Sequence, residues 1–188
     1  QLALHGNAYV QLVKDGAGVP VELYPLRPER VQVVAGEDGW PTAYRYVLAD
    51  RTLTIALEDE HGWPNIIHLH GFHPTDDHYG AGCLAAAAPA VAVHNAASEW
   101  NRALLANAAR PSGADMDFAA LKAAAARDIA LAFGVPPMLL GLPGDNTYAN
   151  YREANRALWR LTLLPLAGKI LAGLHAGLAD WFAEASQI

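Results

Sequence analysis

The apolar pattern of this 188-residue chain changes period once, near residue 80, and that change limits the fold more than any single motif. Up to about residue 73, apolar and polar residues alternate between turn dipeptides, the period-two signature of strands with one solvated face. Beyond Gly80 the apolar residues recur every three or four positions in a background of alanine, the best helix former. Of the 38 alanines, 31 lie after Gly80. The fold class read from this is α+β, a β-rich region followed by long α-helices.

Strands are expected at Asn7–Val13, Val19–Leu26, Arg30–Val34, Thr42–Leu48, Thr52–Leu57 and Asn65–Phe72, arranged as an antiparallel meander. Asp15-Gly16 and Asp38-Gly39 supply hairpin chemistry. The first helix spans Ala81 to Ala109, interrupted or kinked at Pro89. A second starts with Asp115 or Asp117 as N-cap and buries Phe118, Leu121, Ala125, Ile129 and Ala132; Gly134 stops it, and Pro136-Pro137 prevents continuation. The polar loop from Gly141 leads to a long helix capped by Asp145 or Asn146. Tyr151, Ala154, Leu158 and Leu161 line its apolar face as far as a kink at Pro165. Ile170, Leu174, Leu178 and Trp181 continue that face.

Charge is uneven. Residues 1–80 carry 5 basic and 11 acidic side chains, whereas residues 81–188 carry 8 of each. With a net charge of −6, the chain lacks the excess of Lys and Arg that tight, sequence-independent DNA binding needs. The single cysteine, Cys83, excludes an internal disulfide and a cysteine-only zinc site, and fits a reducing compartment. Gln1 in the place of an initiator methionine reads as an excised fragment. No apolar stretch is expected to be long enough, and free enough of charge and His, to span a bilayer.

Four segments carry candidate chemistry. His68, His70, His73 and Asp76 are of ligand type, and imidazoles at i and i+2 share one face of a strand, so a metal-dependent hydrolase is the alternative function. A strand end followed by a polar turn explains the same residues without a metal, and no metal site, cofactor or catalytic residue is assigned. Cys83 opens a helix as a nucleophile would, but its alanine and leucine neighbours suit a small buried apolar group. Arg152, Arg156 and Arg160, at i, i+4 and i+8, form one stripe that could meet a neighbouring subunit, a phosphate backbone as in a generic DNA-binding module, or solvent, with Glu153 pairing locally. The run from Gly134 to Asn146 is a stiff, apolar connector without the spacing or Lys of a phosphate-binding loop.

Three groups of residues together resemble one family. The first is His5-Gly-Asn-Ala-Tyr-Val10 with Gly18-Val-Pro-Val-Glu-Leu-Tyr-Pro-Leu26 and Arg30-Val-Gln-Val-Val34. The second is Ile66-Ile-His68, Asp76-Asp-His-Tyr-Gly80, the alanine-rich helix and Arg110-Pro-Ser-Gly113. The third is Ile129-Ala-Leu-Ala-Phe-Gly-Val-Pro-Pro-Met-Leu-Leu-Gly141 with Asn146-Thr-Tyr-Ala-Asn150 and Leu161-Thr-Leu-Leu-Pro165. In this order they resemble the portal proteins of tailed double-stranded DNA phages and gene transfer agents.

The resemblance implies a non-enzymatic homo-oligomer, usually a dodecamer, set in the virion at one capsid vertex and assembled in the bacterial cytoplasm. Its ring is the channel for DNA packaging and ejection. The implied partners are other copies of the chain, the major capsid protein, the terminase large subunit, the head-tail adaptor and the double-stranded DNA passing through. It also implies a β-rich wing over 1–80, the alanine-rich helix over 81–113, and a stem helix, tunnel loop and kinked helix of stem and crown type over 114–188. Gly141, Leu142, Pro143, Gly144, Asp145, Asn146, Thr147, Tyr148 and Asn150 match the tunnel loop facing the channel. Arg152, Arg156 and Arg160 are then subunit-interface or DNA residues. Gly113-Ala114-Asp115 joins two motifs that the family separates by a stem and clip segment, so that segment is expected to be missing here, and with it the clip's contacts to terminase and adaptor.

Overall fold

In the first eighty residues the alternating pattern produces six strands. A computed structural model describes residues 1–106, 118–142, 148–179 and 181–182. After a short helix α1 (Leu2–His5) come β1 (Asn7–Lys14), β2 (Pro20–Leu26), β3 (Val31–Ala35), β4 (Pro41–Val47), β5 (Thr52–Ala56) and β6 (Ile66–His70). They do not form one meander. β2-β1-β6 make one antiparallel sheet and β3-β4-β5 another. The division follows from pairing partners distant in sequence: β6 returns to the free edge of β1, setting Tyr9 opposite His68 and Gln11 opposite Ile66. Alternation along each strand specifies which side chains share a face, but not which strand becomes a neighbour.

The two sheets share one core. Tyr9, Leu26, Val31, Tyr44 and Ile66, from five different strands, are buried together, and the rings of Tyr9 and Tyr44 meet edge to face at 5.7 Å. Asp38-Gly39 turns as the sequence predicts, with Gly39 at φ +83°. After β1 the positive φ falls on Gly18 instead of Gly16. There Asp15 Oδ1 accepts from the amides of Ala17 and Val19. Asp59 repeats this geometry with the amides of His61 and Trp63.

Where the strands end, three stretches of backbone cross closely. A β-carbon on Gly80 would overlap the carbonyl oxygen of Gly6 and the backbone of Gly71, so this crossing admits only glycine. Asn7, buried beside it, uses its whole carboxamide. Nδ2 donates to the carbonyls of His5 (3.0 Å) and Gly80 (3.1 Å), while Oδ1 accepts from Gly80 N (2.8 Å). Oδ1 is also 3.0 Å from His68 Nε2. Because both amide protons are committed to carbonyls, His68 Nε2 must be the donor. The His68 ring stacks on Tyr9 at 4.2 Å. Burial, helped by the like charges that His70 and His78 would carry, pushes its pKa down to about 4, so the ring is neutral near pH 7.

The last helical segment, α5 (Leu164–Leu178), belongs from Ala167 onward to the same compact unit as residues 1–82. β-Carbons at Gly173 and Gly177 would overlap Leu69 and Ile67, so missing side chains let the helix lie directly on β6. Beyond its end, Trp181 Nε1 donates to the Gly18 carbonyl (2.9 Å), and its ring meets Trp63 edge-on and the Lys14 ammonium at 4.9 Å. Lys14 itself donates to Asp59 (2.6 Å) and Asn65 (3.0 Å). That hydrogen bond from Lys14, with the amides of Trp63 and His61, lowers the Asp59 pKa to about 2.

The second compact unit spans Cys83–Leu166. Helix α2 (Cys83–Ala106) runs through Pro89 without ending and packs along α3 (Phe118–Ala132). Ala87, Ala97, Ala125 and Ala130 are buried, and Trp100 stacks on Phe118 at 4.1 Å. Leu121, expected inside, is exposed, because the small alanines bring the helices together without it. The expected caps Asp115 and Asp117 lie outside the described residues. α3 stops at Gly134 (φ +66°), where Gly134 N bonds to Leu131 O and Val135 N to Ala130 O in the paired pattern of a Schellman cap.

The long helix departs most from expectation. It comprises α4 (Tyr148–Ala157), a π-helical turn over Leu158–Leu163, and α5. Pro165 lacks an N–H and crowds the preceding turn, and the distortion is taken up ahead of it as the wide turn. Extra residues per turn shift the inward face: Thr162 comes in, with its hydroxyl donating to the Gly134 carbonyl. Leu161 and Tyr151, expected on the buried face, point outward. The membrane expectation also needs correcting. Asn150–Leu178 is one helix of 29 residues, long and apolar enough by composition to cross a bilayer. Its glycines, alanines and leucines outweigh Lys169 and His175.

Two outcomes test this packing. Gly80→Ala should lower unfolding stability by at least about 2 kcal/mol in a denaturant titration, because backbone cannot yield as a side chain can. Gly16→Ala, with open space around it, should stay within about 0.5 kcal/mol. For His68 the unfolded state binds the proton first, so its contribution is complete above pH 6.5 and is lost as pH falls toward 4. The thermal midpoint should drop across that window in the native protein, and His68→Gln should flatten the drop.

Candidate functional site

The histidine run is used up by the fold. His68 sits on β6 inside the Asn7 network, and His70 Nδ1 lies 3.1 Å from the Gly71 carbonyl. His73 Nδ1 accepts from the amide of Thr75. Asp76 Oδ1 accepts from the amides of His78 and Tyr79, both at 2.8 Å, and these bonds hold its carboxyl below the usual range. Tyr79 in turn reaches β3, where its hydroxyl accepts from Val33 N. Among the described residues no three His, Cys, Asp or Glu side chains stand close enough to hold an ion, so the hydrolase alternative is not favoured. Cys83 is the first residue of α2 and is partly exposed.

The loop Gly141–Asn150 is described only at its ends. Gly141 (φ +67°) caps a short 3₁₀ turn over Pro137–Leu140, and Leu142 follows it. Pro143, Gly144, Asp145, Asn146 and Thr147 lie outside the described residues; Tyr148 opens α4, and Asn150 is exposed on it. Arg152, Arg156 and Arg160 all face solvent. Arg156 Nη1 donates to Glu153 Oε1 at 2.9 Å, a local i,i+3 pair. Arg152 and Arg160 have no partner among the described residues.

Arg160 lies within the π turn, and with Arg152, Arg156, Trp159 and Leu161 it lines one open groove. Sequence reasoning placed the arginines but missed Trp159 and Leu161. The exposure of Leu161 depends on the wide turn, and no regular period in the sequence encodes it; Trp159 lies beside that face even in a regular helix. A groove of cationic and large apolar groups whose one carboxylate, Glu153, is paired with Arg156 can bind but has no evident chemistry to perform.

An uncharacterized protein of Rickettsia felis (strain ATCC VR-1525 / URRWXCal2) is 34% identical over 231 residues, covering 95% of this chain and 58% of the relative. Among solved structures, a chain in the virion of a native gene transfer agent particle matches with 42% identity and a TM-score of 0.85, covering 97% of this chain and 65% of that one. A chain in the neck of the native particle, computed with C12 symmetry, matches with 42% identity and a TM-score of 0.86, covering 96% of this chain and 65% of that one. This chain therefore spans less than two thirds of these relatives' lengths. The family model for phage portal protein matches residues 1–114 and again 112–187. Those two matches take in nearly the whole sequence, and the chain belongs to the phage portal protein family.

Proposed function

We propose that this chain is the wing and helical part of a portal subunit. Copies of it form a closed ring at one capsid vertex of a virion, through which double-stranded DNA is packaged and ejected. The observation that carries the reading is the 42% identity, over nearly all of this chain, to a subunit of a neck computed with C12 symmetry. A ring of identical subunits needs two different complementary patches per copy, closed by rotation. The chemistry of this chain suits the role. A passage must let DNA slide, and a chain of net charge −6 does not grip phosphates. The reading assigns the chain no catalysis; the major capsid protein, terminase large subunit and head-tail adaptor are its partners, and assembly takes place in the bacterial cytoplasm. Electron microscopy of the full-length protein tests it, with rings around a central hole as the expected result and monomers as the contrary one.

In this reading residues 1–80 are the wing, 81–113 the alanine-rich helix, and 114–188 the stem helix, tunnel loop and distorted long helix. Gly141–Asn150 faces the channel. The clip segment is missing between Gly113 and Asp115. Two observations support the deletion. The family model matches in two pieces that meet at this point. The alignment to the Rickettsia felis relative is 231 residues long on a chain of 188, so the relative carries more than forty residues with no counterpart here. The native coding sequence should therefore contain a segment of that order between the codons of Gly113 and Asp115; a gene reading straight through would contradict this.

The arginine stripe is assigned to subunit pairing more than to DNA. Arg156 is already satisfied by Glu153, which leaves Arg152 and Arg160 to meet carboxylates of an adjacent copy. Replacing both by Ala should weaken ring assembly by about 0.4–2 kcal/mol per subunit, the worth of two exposed ion pairs. High salt should weaken native assembly in the same direction. Unchanged assembly with reduced packaging would move these residues to the channel.

A further inference from the structure

We infer that the π-helical turn Leu158–Leu163 builds the apolar anchor of the interface between copies, by turning Leu161 outward beside Trp159 to be covered by a second copy of this chain. The inference rests on the ring reading above and names the surface that closes it. In a regular helix Leu161 would follow Ala154 and Leu158 onto the buried face. The wide turn brings in Thr162, which bonds to Gly134, and leaves Leu161 77% and Trp159 56% exposed. Leu164, the next residue after the turn, is 58% exposed.

Three large apolar side chains within six residues are costly to hydrate, and the groove that Trp159 and Leu161 share with Arg152, Arg156 and Arg160 combines Trp with Arg. Those are the residue types that dominate binding energy at the centre of protein interfaces. DNA is a poor occupant, because Trp159 and Leu161 offer nothing to phosphate. A bilayer is a poor one, because Gly173 and Gly177 hold the far half of the same helix against Leu69 and Ile67 of β6. A second copy fits both halves of the surface. It brings its own apolar residues, and it carries an excess of six negative charges over residues 1–80 to set against the arginines.

The test uses the full-length protein and its concentration-dependent assembly, followed by sedimentation. Leu161→Ser and Trp159→Ala should each raise the concentration for half-assembly by about tenfold or more, while the circular-dichroism melt of the dissociated subunit stays that of the native chain. A photo-crosslinking side chain placed at 161 should yield covalent dimers from intact rings. Native-like assembly of both variants, or rings that give no crosslink through position 161, would overturn the inference and leave the portal reading standing. A native protein that forms no rings would overturn both. Co-sedimentation of the native protein with phosphatidylcholine–phosphatidylglycerol vesicles, lost in Leu161→Ser, would assign the surface to lipid instead.

Discussion

The carboxamide of Asn7 makes four hydrogen bonds, and much of the arrangement of the strands depends on them. It joins the start of β1 to the backbone at Gly80 and to the ring of His68 on β6. A buried amide with any of these partners missing would cost about 1–3 kcal/mol. Satisfying all four requires the chain to cross itself where Gly6 and Gly80 leave no room for a β-carbon. The crossing brings His68 onto Tyr9, and Tyr9 lies in the core shared by both sheets. A histidine that looks like a metal ligand in the sequence is thereby occupied as a neutral hydrogen-bond donor.

The same economy of small groups recurs in the helices. Alanine lets α2 and α3 approach, and Gly173 and Gly177 let α5 lie on Ile67 and Leu69. The long helix then has little inward-facing bulk of its own, and its largest side chains are displayed. The proposed ring can use such a surface, since what one copy exposes its neighbour can cover. In the proposed ring, that connects the distortion ahead of Pro165 with assembly and gives a use to a helix apolar enough by composition to cross a bilayer.

Much of this protein was determined by its sequence alone, and the reason is locality. Strand positions follow from alternation within five to eight residues, the end of α3 from Gly134 and the prolines behind it, and the turn at Asp38-Gly39 from a positive φ. Each is settled by neighbours along the chain. The order of motifs from His5 to Pro165 identified the family for the same reason, because it is a property of the sequence itself. Tertiary structure decided what depends on residues far apart. β6 closes on β1 across some sixty residues, which divides the expected meander into two sheets. Asn7 selects His68 and Gly80 as partners, and the hydroxyl of Thr162 finds the carbonyl of Gly134 as the π turn swings Leu161 outward. A periodicity fixes which side chains share a face of an element, but the residue that must meet a distant carbonyl decides which face turns inward.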